Sequence, residues 1–326
     1  MLNFISFLTL ALFTISPVMA NIKLEPSDPS YQFLFYQVID ANQQVVSLEE
    51  QIDALSQVFV GAPYVAGSLG EGEQGKYDKD PLVRFGEFDC TTYVETILAG
   101  AMSQSVGDFM PNLMSLRYKD GNVAFTARNH FPSLDWVPNN QDKLEDITKT
   151  VAHGSLMTAK TTIDKAPWYQ KMEKKNLHCD DDSSTYCDVL LVQFHKEGDV
   201  FSPEIATIDY VPITALYSMA ENFDAEGLNA KNSDKEKEIN RSLLDRIPSG
   251  SVITMVRPDW VLKKWIGTNM NVSHQGFAIR KDGQLFLRHA SVLHQKVVDE
   301  NFVDYFSHYS ASSSLKGFNV QVLKDL

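Results

Sequence analysis

Apolar positions run almost unbroken at the start of the chain and alternate with polar ones near its end. Phe4 to Ile15 lies within MLNFISFLTLALFTISPVMA, which has no charged side chain. The run is shorter than the ~20 residues a membrane span needs. Val18-Met19-Ala20 supplies a small-residue cleavage site, so residues 1–20 are expected to be a cleaved signal peptide. No cysteine follows to make a lipoprotein anchor, and no later segment is apolar enough to span a membrane. Helical spacing begins in Gln43 to Phe59, with Val46, Leu48, Ile52, Leu55 and Val58 on one side. GAPYVAGSLGEGEQGKYDKDPLVRFGEF is a long glycine-punctuated loop, and loops of that length usually carry function. A helix follows from Cys90 or Thr91, with Val94, Ile97, Leu98, Ala101 and Met102 as its apolar face. LRYKDGNVAFTARNHF predicts a hairpin turning at Asp120-Gly121, NNQDKLEDITKTVA a helix, and Asp188 to His195 a strand. Ala220 to Asn240 is rich in charged residues and predicts a solvated helix or loop. SVITMV, HQGFAIR, QLFLRHAS, QKVVD and FNVQVL then read as strands. A helix followed much later by a small antiparallel sheet predicts one α+β domain over residues 21–326.

Composition adds that a sizeable core is available, with 44% hydrophobic and 11% aromatic residues. The net charge of -13 comes without any basic patch, which argues against a nucleic-acid partner. The cysteine count of three is odd, so an oxidising compartment leaves one thiol over. Cys179 and Cys187 flank a short polar loop, an easy disulfide closure, and Cys90 is then the free thiol. The alternative is a metal held by that pair with His178 and His195, although the spacing is not a usual zinc pattern. Asp180-Asp181-Asp182 reads as a solvated loop before it reads as a calcium site.

Cys90 follows Asp89 at a helix start, where the helix dipole should lower its pKa and free backbone N–H groups can hold an oxyanion. A nucleophile needs a base, and the base an orienting partner. Of eight histidines, two lie on either side of Asp282-Gly283, a strong two-residue hairpin signal. That turn pairs Lys281 with Gln284. His289 then falls opposite Gly276 and becomes the diagonal neighbour of His274 on the same face, ~7–8 Å away. The small Gly276 leaves room for the imidazoles. Cys90 as nucleophile, His274 as base and His289 as orienting group need no metal or cofactor. Asp89, Glu95, Arg128, Asn129 and Ser291 are candidates for substrate or oxyanion contacts. Glu95 could equally pair with Arg84 or Lys79, and His130 reads first as a structural histidine.

The ordered set PYVAGSLGEG, FDCTTYVET, VSHQGFAIR and FLRHAS resembles the N-acetylmuramoyl-L-alanine amidase-like family. That family is a branch of the NlpC-type, papain-like cell-wall cysteine hydrolases. The likeness extends through LRYKDGNVAFTARNHFPSLDWVPNN and IPSGSVITMV. It implies a papain-like fold, with a helix-borne cysteine packed on a small antiparallel sheet that carries the histidines. It also implies amide hydrolysis in peptidoglycan by a secreted or periplasmic bacterial enzyme, at the muramoyl–L-alanine bond or at the D-glutamyl–diamino acid bond. Cys90, His274 and His289 fall on the catalytic positions, and Tyr64 on a position lining the active site, where its hydroxyl is a candidate for substrate or oxyanion contact; with such a substrate Tyr64, Phe131 and Trp136 are aromatic candidates for touching the glycan, which favours the sugar-proximal cut. Gly250-Ser251 departs from the Gly-Asp of relatives, and the 179–187 loop and the 220–240 stretch look like elaborations. A muropeptide-binding protein without turnover is the rival from another class.

Overall fold

In VITMVRPDW, Val252 packs into one buried cluster and Ile253 into another, so this strand is covered on both faces. That two-sided burial is why the segment reads as a continuous apolar run rather than a strict alternation. The computed structural model describes residues 29–41, 47–177, 185–219, 237–309 and 311–325. The leader, Cys179 with Asp180–Asp182, and most of the charged stretch lie outside them.

Among the described residues the strands are β1 (Leu144–Asp146), β2 (Met157–Ile163), β3 (Glu204–Pro212), β4 (Tyr217–Met219), β5 (Lys237–Ile239), β6 (Val252–Trp260), β7 (Met270–Lys281), β8 (Gln284–Ser291), β9 (Lys296–Asn301) and β10 (Gly317–Leu323). One antiparallel sheet runs β2-β3-β10-β6-β7-β8-β9 with β1 added on β10, while β4 and β5 pair separately. The helices that frame the site are α1 (Pro29–Ala41), α2 (Leu48–Gln57), α3 (Cys90–Ala101), α4 (Val106–Arg117), α5 (Thr185–Gly198) and α6 (Phe302–Ser307). The chain is thus α+β with an antiparallel sheet. No helix among the described residues is long and apolar enough to cross a membrane.

Helices α1 to α4 cover one face of the sheet, where Tyr93, Val94, Ile97 and Leu98 meet Val252, Phe277 and Ile279. On the other face Phe302 and Phe306 of α6 meet Ile253, Ala278 and Leu287. Each fully buried Phe or Leu here contributes roughly 1.5–3 kcal/mol. Ion pairs to a buried arginine tie these layers together. Arg288 of β8, fully buried, holds Asp53 Oδ1 of α2 at 2.7 Å and Asp299 Oδ1 of β9 at 2.7 Å. Helix α2 starts at a reciprocal cap between Ser47 and Glu50 and buries Ile52 and Leu55 toward the sheet.

The five C-terminal strands form at the expected segments, and β8 spans QLFLRHAS in full. Three other expectations are corrected. Asp120 and Gly121 do turn, at φ 56° and 67°, yet only a single bridge, Tyr118 with Arg128, flanks them. Leu113 and Leu116 bury at helical spacing from Phe109, which makes the preceding segment α4 rather than a strand. Residues 139–152 are not one helix. Asp146 Oδ1 accepts the Thr148 N–H at 2.9 Å, and that side-chain turn separates β1 from a short helix at Thr148–Ala152. Residues 188–195 lie in helix α5, not a strand. Cys187, Leu190 and Phe194 are buried three and four residues apart, and Val189 and Val192 face out. The described end of the charged stretch is strand β5. Strands β2 and β3 have no counterpart among the expected elements.

Candidate active site

Asp89 begins the site by capping α3. Its Oδ1 accepts the Thr92 N–H at 2.8 Å, and its own N–H donates to Thr92 Oγ1 at 3.0 Å. Cys90 is therefore the first residue of the helix, half-buried and a free cysteine. Phe88 pairs with the start of the glycine loop through Pro63 and Val65, which brings Tyr64 to the helix tip.

The β7–β8 hairpin keeps its expected register from Lys281 with Gln284 to Phe277 with Arg288, and the ladder stops there. Alternation directs the Gln275 N–H toward β8, where the strands have parted. The Cys90 sulfur lies near enough for that N–H to favour its thiolate. Thr91 Oγ1 also donates to Gln275 Oε1 at 3.3 Å. The thiol thus meets the hairpin one residue from His274, although it forms no hydrogen bond to that ring among the described residues.

His274 Nε2 lies 2.6 Å from His289 Nδ1, the rings nearly perpendicular at 83°. The expected diagonal neighbours are thus in contact. A Cβ on Gly276 would sit 2.8 Å from His289 Cβ, so glycine is required by space alone. His289 Nε2 lies 2.7 Å from Glu300 Oε2, and His294 Nε2 3.4 Å from Glu300 Oε1. His289 also presents its ring to Tyr305 of α6 at 5.4 Å.

Burial pushes His274 well below the usual imidazole range, and the charges of His289 and Arg257 add to it. The Cys90 thiol moves opposite to the expected direction. Burial and then the Asp89 carboxylate push it up to about 12, outweighing the hydrogen bonds from Gln275 and Thr91. The resting site therefore holds a neutral thiol and a neutral His274. The hydrogen bond from His289 first, and then its charge, hold Glu300 below its usual value despite partial burial.

Tyr64 is half-buried, and burial followed by the Cys90 and Asp89 charges pushes its hydroxyl up to about 12. It stays protonated and able to donate. Glu95 points into the protein interior and pairs with neither Arg84 nor Lys79. It is 2% exposed and bonds Arg117 Nε at 2.6 Å. Arg128 spans the glycine loop, donating to Leu69 O at 2.7 Å beside Glu71 and Asp78. The Asn129 amide is consumed by Leu116 O and Asn139. Ser291 is buried and its Oγ accepts the His294 N–H at 3.3 Å. His130 bonds Phe125 O, and burial, then Arg128, pushes it down to about 3. Phe131 and Trp136 are fully buried and cannot touch a glycan, which leaves the half-buried Tyr64 of the three aromatic candidates. Glu300 was missed. Leu287 pairs with Glu300, which makes Glu300 the diagonal neighbour of His289 on the next strand. The β8–β9 turn, VLHQ, lacks the glycine signal that would have fixed this register.

The AmiA-like profile, described as N-acetylmuramoyl-L-alanine amidase-like, matches residues 54–312. The chain belongs to this family. The amidase-like chain is also similar to a Legionella pneumophila protein of the DUF1460 family. That protein is 32% identical at a TM-score of 0.78, with 90% of this chain and 96% of the other covered. An N-acetylmuramoyl-L-alanine amidase from Bacteroides uniformis shares the fold at 21% identity and a TM-score of 0.55, covering 85% and 99%. A proposed xylanase from Bacteroides fragilis is 27% identical at a TM-score of 0.54, covering 82% and 98%. No curated protein matches the chain.

Proposed function

We propose that this chain is a secreted or periplasmic cysteine amidase of papain-like, NlpC-type fold, which cuts peptidoglycan between N-acetylmuramic acid and L-alanine. The observation that carries the reading is the placement of Cys90. Its sulfur rests at the capped tip of α3 on the β7 backbone, one residue from His274, whose ring is already bonded to His289. Cys90 attacks the amide carbonyl, and the carbonyl electron pair moves onto oxygen as the S–C bond forms. The thiol proton goes to His274 and then to the departing amine as the C–N bond breaks. His274 next activates the water that hydrolyses the acyl-enzyme, returning a proton to sulfur. Because the resting thiol and imidazole are both neutral, proton transfer accompanies attack instead of preceding it. The Cys90 backbone N–H at the helix start and the Tyr64 hydroxyl are the donors proposed for the oxyanion.

The family supports a cell-wall amide as substrate. The choice of bond rests on the family alone, because the same residues would serve any stem-peptide amide. Residues 1–20 are proposed as the export signal and 21–326 as the mature domain. Digestion of purified sacculi, with the soluble products weighed, tests the reading. Free stem peptides beginning with L-alanine are expected. Disaccharide-linked L-alanyl-D-glutamate would move the cut to the D-glutamyl–diamino acid bond. Binding to sacculi without release of any product would reduce the chain to a muropeptide-binding protein.

A further inference from the structure

We propose that Glu300 sets the tautomers of both histidines, and that this leaves His274 Nδ1, the nitrogen His289 does not engage, with its lone pair free. The inference rests on His274 being the base and adds the residue that makes it one. An ionised carboxylate can only accept hydrogen bonds. Glu300 Oε2, 2.7 Å from His289 Nε2, therefore requires the proton on Nε2. Above the ordinary imidazole range, where the ring carries no charge, that makes His289 Nδ1 an acceptor. His274 Nε2, 2.6 Å away, must then donate into it, so its own proton sits on Nε2 and Nδ1 is bare. A single carboxylate at the end of the chain thus selects one of two arrangements of two rings. The reversed arrangement, with His289 donating from Nδ1, would put the His274 proton on Nδ1 and abolish the base.

The remaining neighbours do not compete for these bonds. Tyr305 meets the His289 ring edge-on, and Arg257 acts on His274 as a positive charge. His294 is half-exposed and engages the other Glu300 oxygen at 3.4 Å, leaving Oε2 to His289. Glu300 is thus a positioning residue, acting through His289 on His274.

The test is the ring ¹⁵N spectrum of the folded protein without substrate, at pH about 8, above the ordinary imidazole range. Wild type should show Nε2–H on both His274 and His289. Glu300→Gln presents an amide that can donate to His289 Nε2 as well as accept from it, so the selection is lost and Nδ1–H should become populated on His274. Its kcat should fall about 10²–10⁴-fold with KM little changed, the range seen when an orienting carboxylate is lost. His294→Asn should leave both tautomers in place. Nδ1–H on His274 in wild type would overturn the proposal, and so would unchanged tautomers in folded Glu300→Gln. The wild-type spectrum decides even if the variant fails to fold. The spectrum does not depend on turnover: wild type inert on every sacculus digest would sink the amidase reading while leaving the tautomer assignment standing.

Discussion

Replacing Gly276 with alanine tests whether the histidine geometry, and not simply the presence of the rings, determines turnover. The new Cβ would lie 2.8 Å from His289 Cβ, 2.9 Å from Arg288 O and 3.1 Å from Leu287 Cδ1. Ordinary contacts begin near 3.4 Å, so β8 must retreat by about half an ångström or more, and two of the three obstacles are backbone or backbone-attached. Overpacking of this kind costs about 1–3 kcal/mol. The functional loss should be larger in proportion. His289 is held between partners at 2.6 and 2.7 Å, and a shift of that size stretches one bond or the other toward its limit. Misplacement by about 1 Å can cost ~10²-fold, so about 10–100-fold in kcat is expected. The assay pairs muropeptide hydrolysis with urea unfolding at the same temperature. A folded Gly276→Ala protein with wild-type kcat would refute the argument that spacing across β7 and β8 positions His289.

Cys90→Ala should abolish hydrolysis while unfolding within ~1 kcal/mol of wild type, because the half-buried thiol contributes little packing; retained turnover in the folded variant would refute the nucleophile. Glu71 is buried and its carboxyl is pushed up to about 7 by that burial, against the pull of Arg128. The folded state thus binds its proton more tightly than the unfolded one, so stability should decline as pH rises from about 4.5 to about 7, by about 3 kcal/mol, and then level off. Urea unfolding across that range should show the loss in wild type and not in Glu71→Gln; parallel curves would rule it out. Cys179 and Cys187 should form a disulfide in oxidised protein, contributing ~3 kcal/mol or less for so short a loop; non-reducing peptide mapping checks it, and a bridge to Cys90 would overturn it.

The site was more legible in the sequence than the fold around it. Asp282-Gly283 dictates a two-residue turn, and a two-residue turn dictates register, so the contact between His274 and His289 followed from counting. Cys90 was legible because Asp89 and Thr92 make a helix start by their own chemistry. What failed was apolar runs without punctuation. DVLLVQFH carries the same residues in a helix or a strand, and only the burial of Cys187, Leu190 and Phe194 separates the two. The break at Asp146 depends on a side chain turning back on Thr148 and reaching Asn319, distant in sequence. The thiol pKa could not be read either. The helix dipole is a local property and visible in sequence, whereas the burial that outweighs it comes from β7 and the glycine loop.

The buried charges complete the argument about how the site is held. Glu95 and Arg117 are almost fully buried, as is Arg288, and such groups seldom add net stability over apolar residues of the same size. Their positions are informative. Arg288 immediately precedes His289 and ties β8 to α2 and β9, the strand that carries Glu300. Glu95 lies on the helix that begins at Cys90, and Arg117 extends from it to Leu82 O in the glycine loop that carries Tyr64. Each network therefore joins an element bearing a proposed catalytic group to the element bearing its partner. Apolar substitutes could fill the same volume, but they would tolerate sliding of one layer on the other. A hydrogen-bonded guanidinium does not, because displacement leaves a charge buried without its acceptors. That directional demand is what short contacts of 2.6 and 2.7 Å along His274, His289 and Glu300 require of the surrounding fold.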